Sequence, residues 1–88
     1  MMDLKPGQIV ISKAGRDKGQ SFVVVATDGE YALLADGRTR PIARPKRKKR
    51  KHIQHTHKVD AGIAAAIAEG KDLKNSDFKT ALEEESHG

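Results

Sequence analysis

The chain has no cysteine. That excludes a disulfide framework, a thiolate metal site and a cysteine nucleophile, and it fits a reducing cytoplasm. Tryptophan is also absent, and Phe22, Tyr31 and Phe78 are the only aromatic residues among 88. So few rings argue against a binding surface built on stacked aromatics. No window approaches the ~18 apolar residues of a membrane span. The N-terminal MMDLKPGQIVIS lacks a basic region followed by an apolar run, so it does not read as a secretory signal. There is no P-loop, dinucleotide fingerprint or nucleophile motif, and the acidic residues are scattered or gathered near the C-terminal end. These absences lead to the expectation of a cytoplasmic protein that is not an enzyme and carries no cofactor.

What is present is cationic charge, unevenly spread. Residues 1–37 hold four basic and five acidic groups, residues 38–58 ten basic and no acidic groups, and residues 59–88 three basic and seven acidic groups. Seven of the eight residues from Arg44 to Lys51 (RPKRKKRK) are Lys or Arg. Such a run is expected to face solvent or a partner of opposite charge, and the commonest such partner is a phosphate backbone. Mutual repulsion predicts an extended, mobile segment. A localisation signal is the alternative reading of the same pattern.

Before the run lie short apolar stretches. Gln8–Ser12 (QIVIS), Ser21–Ala26 (SFVVVA) and Tyr31–Ala35 (YALLA) read as strands, and Arg40–Ala43 (RPIA) as a weaker fourth that Pro41 confines to an edge. Turn signals separate them: AGRDKG at 14–19 and Asp-Gly at 28–29 and 36–37. No linker has room for a crossover helix, so the connections must be antiparallel. Closely spaced short strands with tight turns predict a small, strongly bent antiparallel barrel. Phe22 is expected in its core and Tyr31 at its surface. Gly15 and Gly19 bracket the first loop. They suit turn geometry, and they would also let the main chain approach a phosphate beside Lys13, Arg16 and Lys18.

In the last third, Val59–Glu69 reads as a helix with Asp60 as N-cap and Gly70 at C′. Asn75 or Ser76 is expected to cap a second helix through Glu85, with Phe78 and Leu82 on one face. The helical pair could pack on itself, on the barrel or on a protein partner, and Glu83, Glu84 and Glu85 could shield the basic run. His52, His55 and His57 form H-x-x-H-x-H. Neighbouring cations and the lack of a completing ligand argue against a metal there. Extra donors to a nucleic acid, or a plain linker, fit better.

The stretch Gly7-Gln8-Ile9-Val10-Ile11, Gly15-Arg16-Asp17-Lys18-Gly19, Phe22-Val23-Val24-Val25 resembles the KOW motif of ribosomal proteins and transcription elongation factors. Gly19 falls where that family has its defining glycine. Leu33-Leu34-Ala35-Asp36-Gly37 and the basic run ending in Lys51-His52-Ile53-Gln54-His55-Thr56 are similar to one branch. It comprises a KOW ribosomal protein of the archaeal and eukaryotic large subunit and small bacterial relatives. Some relatives carry a further glycine a few residues after Gly19, where this chain has Ser21 and Phe22. The resemblance spans residues 5–57 and implies an SH3-like barrel that binds RNA, often ribosomal RNA.

The expected fold is therefore mainly β: an SH3-like (KOW) antiparallel barrel over residues 1–43, a basic segment over 44–58 and a helical, acidic extension over 59–88. The expected RNA contacts are Lys13, Gly15, Arg16, Lys18, Gly19, Arg38, Arg40, Arg44, Lys46, Arg47, Lys48, Lys49, Arg50, Lys51 and His52. The expected partner is RNA, with ribosomal or transcription proteins as further candidates and the chain itself a monomer. The rival expectation is a KOW module that docks other proteins in transcription or translation coupling.

Overall fold

The computed structural model describes residues 4–86; residues 1–3, 87 and 88, and the side chains of Glu85 and Ser86, lie outside what is described. The chain is mainly β, with a five-stranded antiparallel sheet and two helices. The strands are β1 (Gln8–Ser12), β2 (Ser21–Asp28), β3 (Tyr31–Ala35), β4 (Lys46–Lys49) and β5 (Ile53–Val59), and the helices are α1 (Ala61–Glu69) and α2 (Asn75–Ser86). Their order across the sheet is β4-β3-β2-β1-β5. A single 3₁₀ turn, Arg50–His52, links β4 to β5. Among the described residues no helix is long and apolar enough to cross a membrane.

Alternation along the strands builds two cores, one on each face of the sheet. Val10, Phe22, Val24, Ala32, Leu34 and Ile53 join Leu4 on the inner face. Ile9, Val23 and Ala35 point the other way, against Ile63 of α1 and Phe78 and Ala81 of α2. The register agrees, since Val10 pairs with Phe22 and Val24 with Leu34, while Ile9 pairs with Val23 and Val23 with Ala35. The continuous apolar run of β2 is thus explained: both its faces are buried. An irregularity between Val24 and Ala26 sharpens the bend of β2. A second lies where β5 meets Gln8 and Val10, and there the Thr56 hydroxyl donates to the Ile9 carbonyl at 2.6 Å.

The sheet is strongly folded over its inner core. In a flat sheet β4 would lie three strand spacings, roughly 14 Å, from β1. Yet the Lys48 ammonium on β4 is 2.6 Å from the Ser12 hydroxyl on β1. A lysine side chain reaches only about 6 Å from its Cα, so the sheet itself must curl.

Two expectations are corrected. The fourth strand is Lys46–Lys49, not Arg40–Ala43. Pro41 has no amide to give a ladder, and the 36–45 loop is held by other bonds. The Asp36 carboxylate accepts from the amides of Arg38 and Arg40 and from the Thr39 hydroxyl, each at 2.8 Å. The Ile42 amide donates to Asn75 Oδ1 at 2.9 Å. The middle of the basic run is accordingly not a mobile segment: Lys46–Lys49 form a strand paired with β3 from Tyr31↔Lys49 to Leu34↔Lys46.

The helices pack on the sheet, which settles where their apolar faces go. Asp60 caps α1 by accepting from the Ile63 amide, and Gly70 ends it at φ 70°. Val59, expected in this helix, is instead the last residue of β5. The start of α2 sits on the β3–β4 loop so closely that a Cβ on Gly37 (φ +77°) would lie 2.2 Å from the Asn75 carbonyl oxygen. Gly19 has a similar φ, +89°, but nothing within 4 Å of the same position.

Gly37→Ala should therefore destabilise the chain by about 1–3 kcal/mol for backbone strain alone, plus the cost of displacing α2. Gly19→Ala should show the strain without the clash. Urea unfolding should rank Gly37→Ala clearly below Gly19→Ala; equal losses would contradict this packing.

Candidate functional site

The period of two along β4 divides the basic run by face. Lys46 and Lys48 pair with Leu34 and Ala32, both inner-core residues, so both lysines lie on the inner face. Arg47 and Lys49 lie on the outer face, exposed to solvent. The charge run alone predicts side chains that face solvent or a partner of opposite charge. Lys48 overturns that, being only 8% exposed.

Its burial is matched donor for donor. The three N–H groups of the Lys48 ammonium have three acceptors: Asp17 Oδ1 at 2.6 Å, Ser12 Oγ at 2.6 Å and the Ala14 carbonyl at 2.7 Å. The Ser12 hydroxyl in turn donates to Asp17 Oδ1 at 2.8 Å. Lys46 approaches the second oxygen, Asp17 Oδ2, to 2.6 Å as an ion pair without hydrogen-bond alignment. One buried carboxylate thereby clasps two lysines. Burial alone would raise its pKa, but the Lys46 and Lys48 ammoniums and the Ser12 hydroxyl outweigh it and hold Asp17 far below the usual carboxylate range. Asp36 is likewise held low: its burial is outweighed by the Arg40 and Arg38 amides and the Thr39 hydroxyl.

The β1–β2 loop is a rigid carrier. The amides of Lys18, Gly19 and Gln20 donate to the carbonyls of Gly15, Ser12 and Asp17, and the Lys13 amide donates to that of His52. Gly15 (φ 87°) and Gly19 (φ 89°) supply the turn geometry. With these amides engaged inside the loop, its outward offering is the side chains of Lys13, Arg16 and Lys18, all exposed. Arg38, Arg40 and Arg44 are exposed on the β3–β4 loop. Arg38 lies 3.2 Å from Glu83 of α2, so this acidic residue reaches a cation outside the 44–51 run.

On the outer face Arg47 stacks over the Tyr31 ring, 3.8 Å from its centroid, with Lys49 at 5.9 Å. Arg47 also lies 3.7 Å from Asp28. Such a stack contributes about 0.5–1 kcal/mol when exposed. It fixes where the guanidinium points and covers one face of the ring. Arg50 is half-buried, its Nε donating to the Gly29 carbonyl at 2.8 Å. Lys51 is exposed and His52 half-buried. His55 lies on β5 opposite Val10, and its Nε2 is buried without a hydrogen bond. Among the described residues no group of three His, Cys, Asp or Glu is placed to hold a metal ion.

The structure thus brings Arg47, Lys49 and Tyr31 together on one face. It withdraws Lys48 into the interior and half-withdraws Lys46. Reading the sequence for charge runs missed the part of Asp17. The available signal was a lone acid between Arg16 and Lys18, opposite lysines at strand spacing. Comparison of the sequence with protein-family models and with curated proteins finds no match.

Asp17→Asn should cost about 3–5 kcal/mol, because it leaves Lys48 buried without its counter-charge. Asp17→Asn combined with Lys48→Met should recover much of that loss. The lowered pKa of Asp17 also sets a pH dependence. Its stabilisation is complete above about pH 5 and is lost as pH falls through and below about 4, where the unfolded chain takes up the proton first. Urea midpoints between pH 2 and pH 7 should show an acid-side fall in the parent that is much flatter in Asp17→Asn.

Proposed function

We propose that this protein binds RNA through an SH3-like barrel of KOW type, and that its target is ribosomal RNA. The folded five-stranded sheet, its order β4-β3-β2-β1-β5 and the 3₁₀ turn between the last two strands support the SH3-like reading. The tight glycine-bracketed β1–β2 loop supports the KOW reading.

The observation that carries the proposal is the sorting of cations along β4. The inner lysines, Lys46 and Lys48, share the carboxylate of Asp17, while Arg47 and Lys49 stand on the outer face of a paired strand. Side chains two apart on a strand are about 6.6 Å from each other. They are held there before any ligand arrives, so less conformational entropy is lost on binding. Arg47 can fork onto a phosphate and Lys49 can act as a point charge. Lys13, Arg16 and Lys18 extend the same sign of charge along the β1–β2 loop. Recognition is by backbone shape and charge, since the ring face of Tyr31 is already covered by Arg47. The helical part of the docking alternative has less support, because Phe78, Ala81 and Ile63 are buried against the sheet.

The test is affinity for a structured ribosomal RNA fragment as a function of salt. Arg47→Gln with Lys49→Gln should weaken binding and reduce the slope of log K against log salt by about 0.7–0.9 per contact removed. Lys48→Met, measured where it is folded, should leave the slope unchanged. A parent slope near zero, or an equal effect of Lys48→Met, would reject the proposal. In extracts, the protein should cosediment with ribosomal particles and wash off with salt.

A further inference from the structure

At one open end of the folded sheet the β1–β2 and β3–β4 loops face each other across a shallow cleft of 180 Å³. Its lining is Arg16, Asp17 and Gln20 from the first loop, Thr39 and Arg40 from the second, and Phe22 and Lys46 from β2 and β4. We propose that this cleft is a binding site for a single phosphate group, distinct from the outer face of β4.

Charge is the first argument. The lining holds three cations and one carboxylate. That carboxylate is already occupied on both oxygens, by Lys48 and Ser12 on one and by Lys46 on the other. It has little attraction left for Arg16 or Arg40, so the cleft carries an uncompensated positive charge. Donor capacity is the second argument. Lys48 uses all three of its N–H groups, whereas Lys46 has, among the described residues, the single partner Asp17 Oδ2, and its side chain is 24% exposed. Lys46 lines the cleft, so its ammonium offers donor capacity there beyond Asp17. Thr39 cannot donate there, because its hydroxyl proton goes to Asp36.

Geometry is the third argument. Arg16 and Arg40 come from opposite walls, and both walls are rigid at the backbone. One is locked by the Asp17 clasp and the amides of Lys18, Gly19 and Gln20. The other is locked by the Asp36 carboxylate, which holds the Arg38 and Arg40 amides. Two guanidinium forks and an ammonium arriving from different sides suit a tetrahedral oxyanion. A flat carboxylate is satisfied by one fork. The source of the phosphate, either an internal phosphodiester or a terminal phosphomonoester of a nucleic acid, rests on the RNA-binding reading; the cleft's affinity for the phosphate group itself does not.

The experiment uses the full chain and inorganic phosphate at pH 8, with ionic strength held constant by chloride. The Gln20 side-chain amide signals should shift along a saturable curve. In Arg16→Gln with Arg40→Gln the dissociation constant should rise by about tenfold or more. Both arginines are exposed, so circular dichroism should show the variant folded. A linear, unsaturating response, or the same curve in the double variant, would overturn the site. RNA oligonucleotides with a 5′-phosphate and with a 5′-hydroxyl then identify the source. Preference for the first assigns a terminal phosphate, and equal binding weakened by the double variant assigns an internal one. RNA affinity unchanged in the double variant would overturn the cleft as an RNA subsite. Saturable phosphate binding without any RNA affinity would uphold the cleft and reject the RNA reading.

Discussion

Burying an ammonium in so small a domain is costly unless each of its donors is matched and its charge is countered. Lys48 meets both conditions through Asp17, Ser12 and the Ala14 carbonyl. The three acceptors lie at the end of β1 and in the loop after it, while the lysine comes from β4 across the folded sheet. The clasp therefore ties together two of the parts of the structure that bear its cations, β4 and the β1–β2 loop. It closes one side of the inner core, fixes the β1–β2 loop, and sets which face of β4 points outward.

That last consequence links the packing to the proposed activity. A run of seven cations could in principle present all of them in any direction. Pairing with β3 and the pull of Asp17 leave one arrangement along β4, in which alternate residues face the inner core and the solvent. Lys46 stands between the two roles, clasped on one side and open on the other. The β3–β4 loop is positioned by a different device, the Asp36 turn and the seat of α2 on Gly37. The opposing walls of the proposed phosphate cleft are thus held by independent parts of the fold.

Much of the fold was legible in the sequence. β1 and β3 fall at the bounds that their apolar stretches predict, because alternation and Asp-Gly turns are local signals. The cap at Asp60 and the stop at Gly70 are local too. What could not be read locally was β4. Four consecutive cations have no apolar face, and only the distant Asp17 and the β3 edge make a strand of them. The same non-local pairing misdirected the reading of the site. Lys48 was expected to touch RNA because a charge count cannot tell an inward lysine from an outward one. Arg16 and Arg40 were both legible as candidates, but not their placement on opposite walls of one cleft. That depends on the curl of the sheet and on the Asp36 turn.

The clasp makes a direct chemical statement about individual lysines. Brief acetylation of the native protein, followed by peptide mass spectrometry, reports the accessibility of each ammonium. Lys49, Lys51, Lys13 and Lys18 should be modified readily, Lys46 slowly and Lys48 hardly at all until the chain is unfolded. Modification of Lys48 at the rate of its neighbour Lys49 would contradict the buried pair on which the account rests.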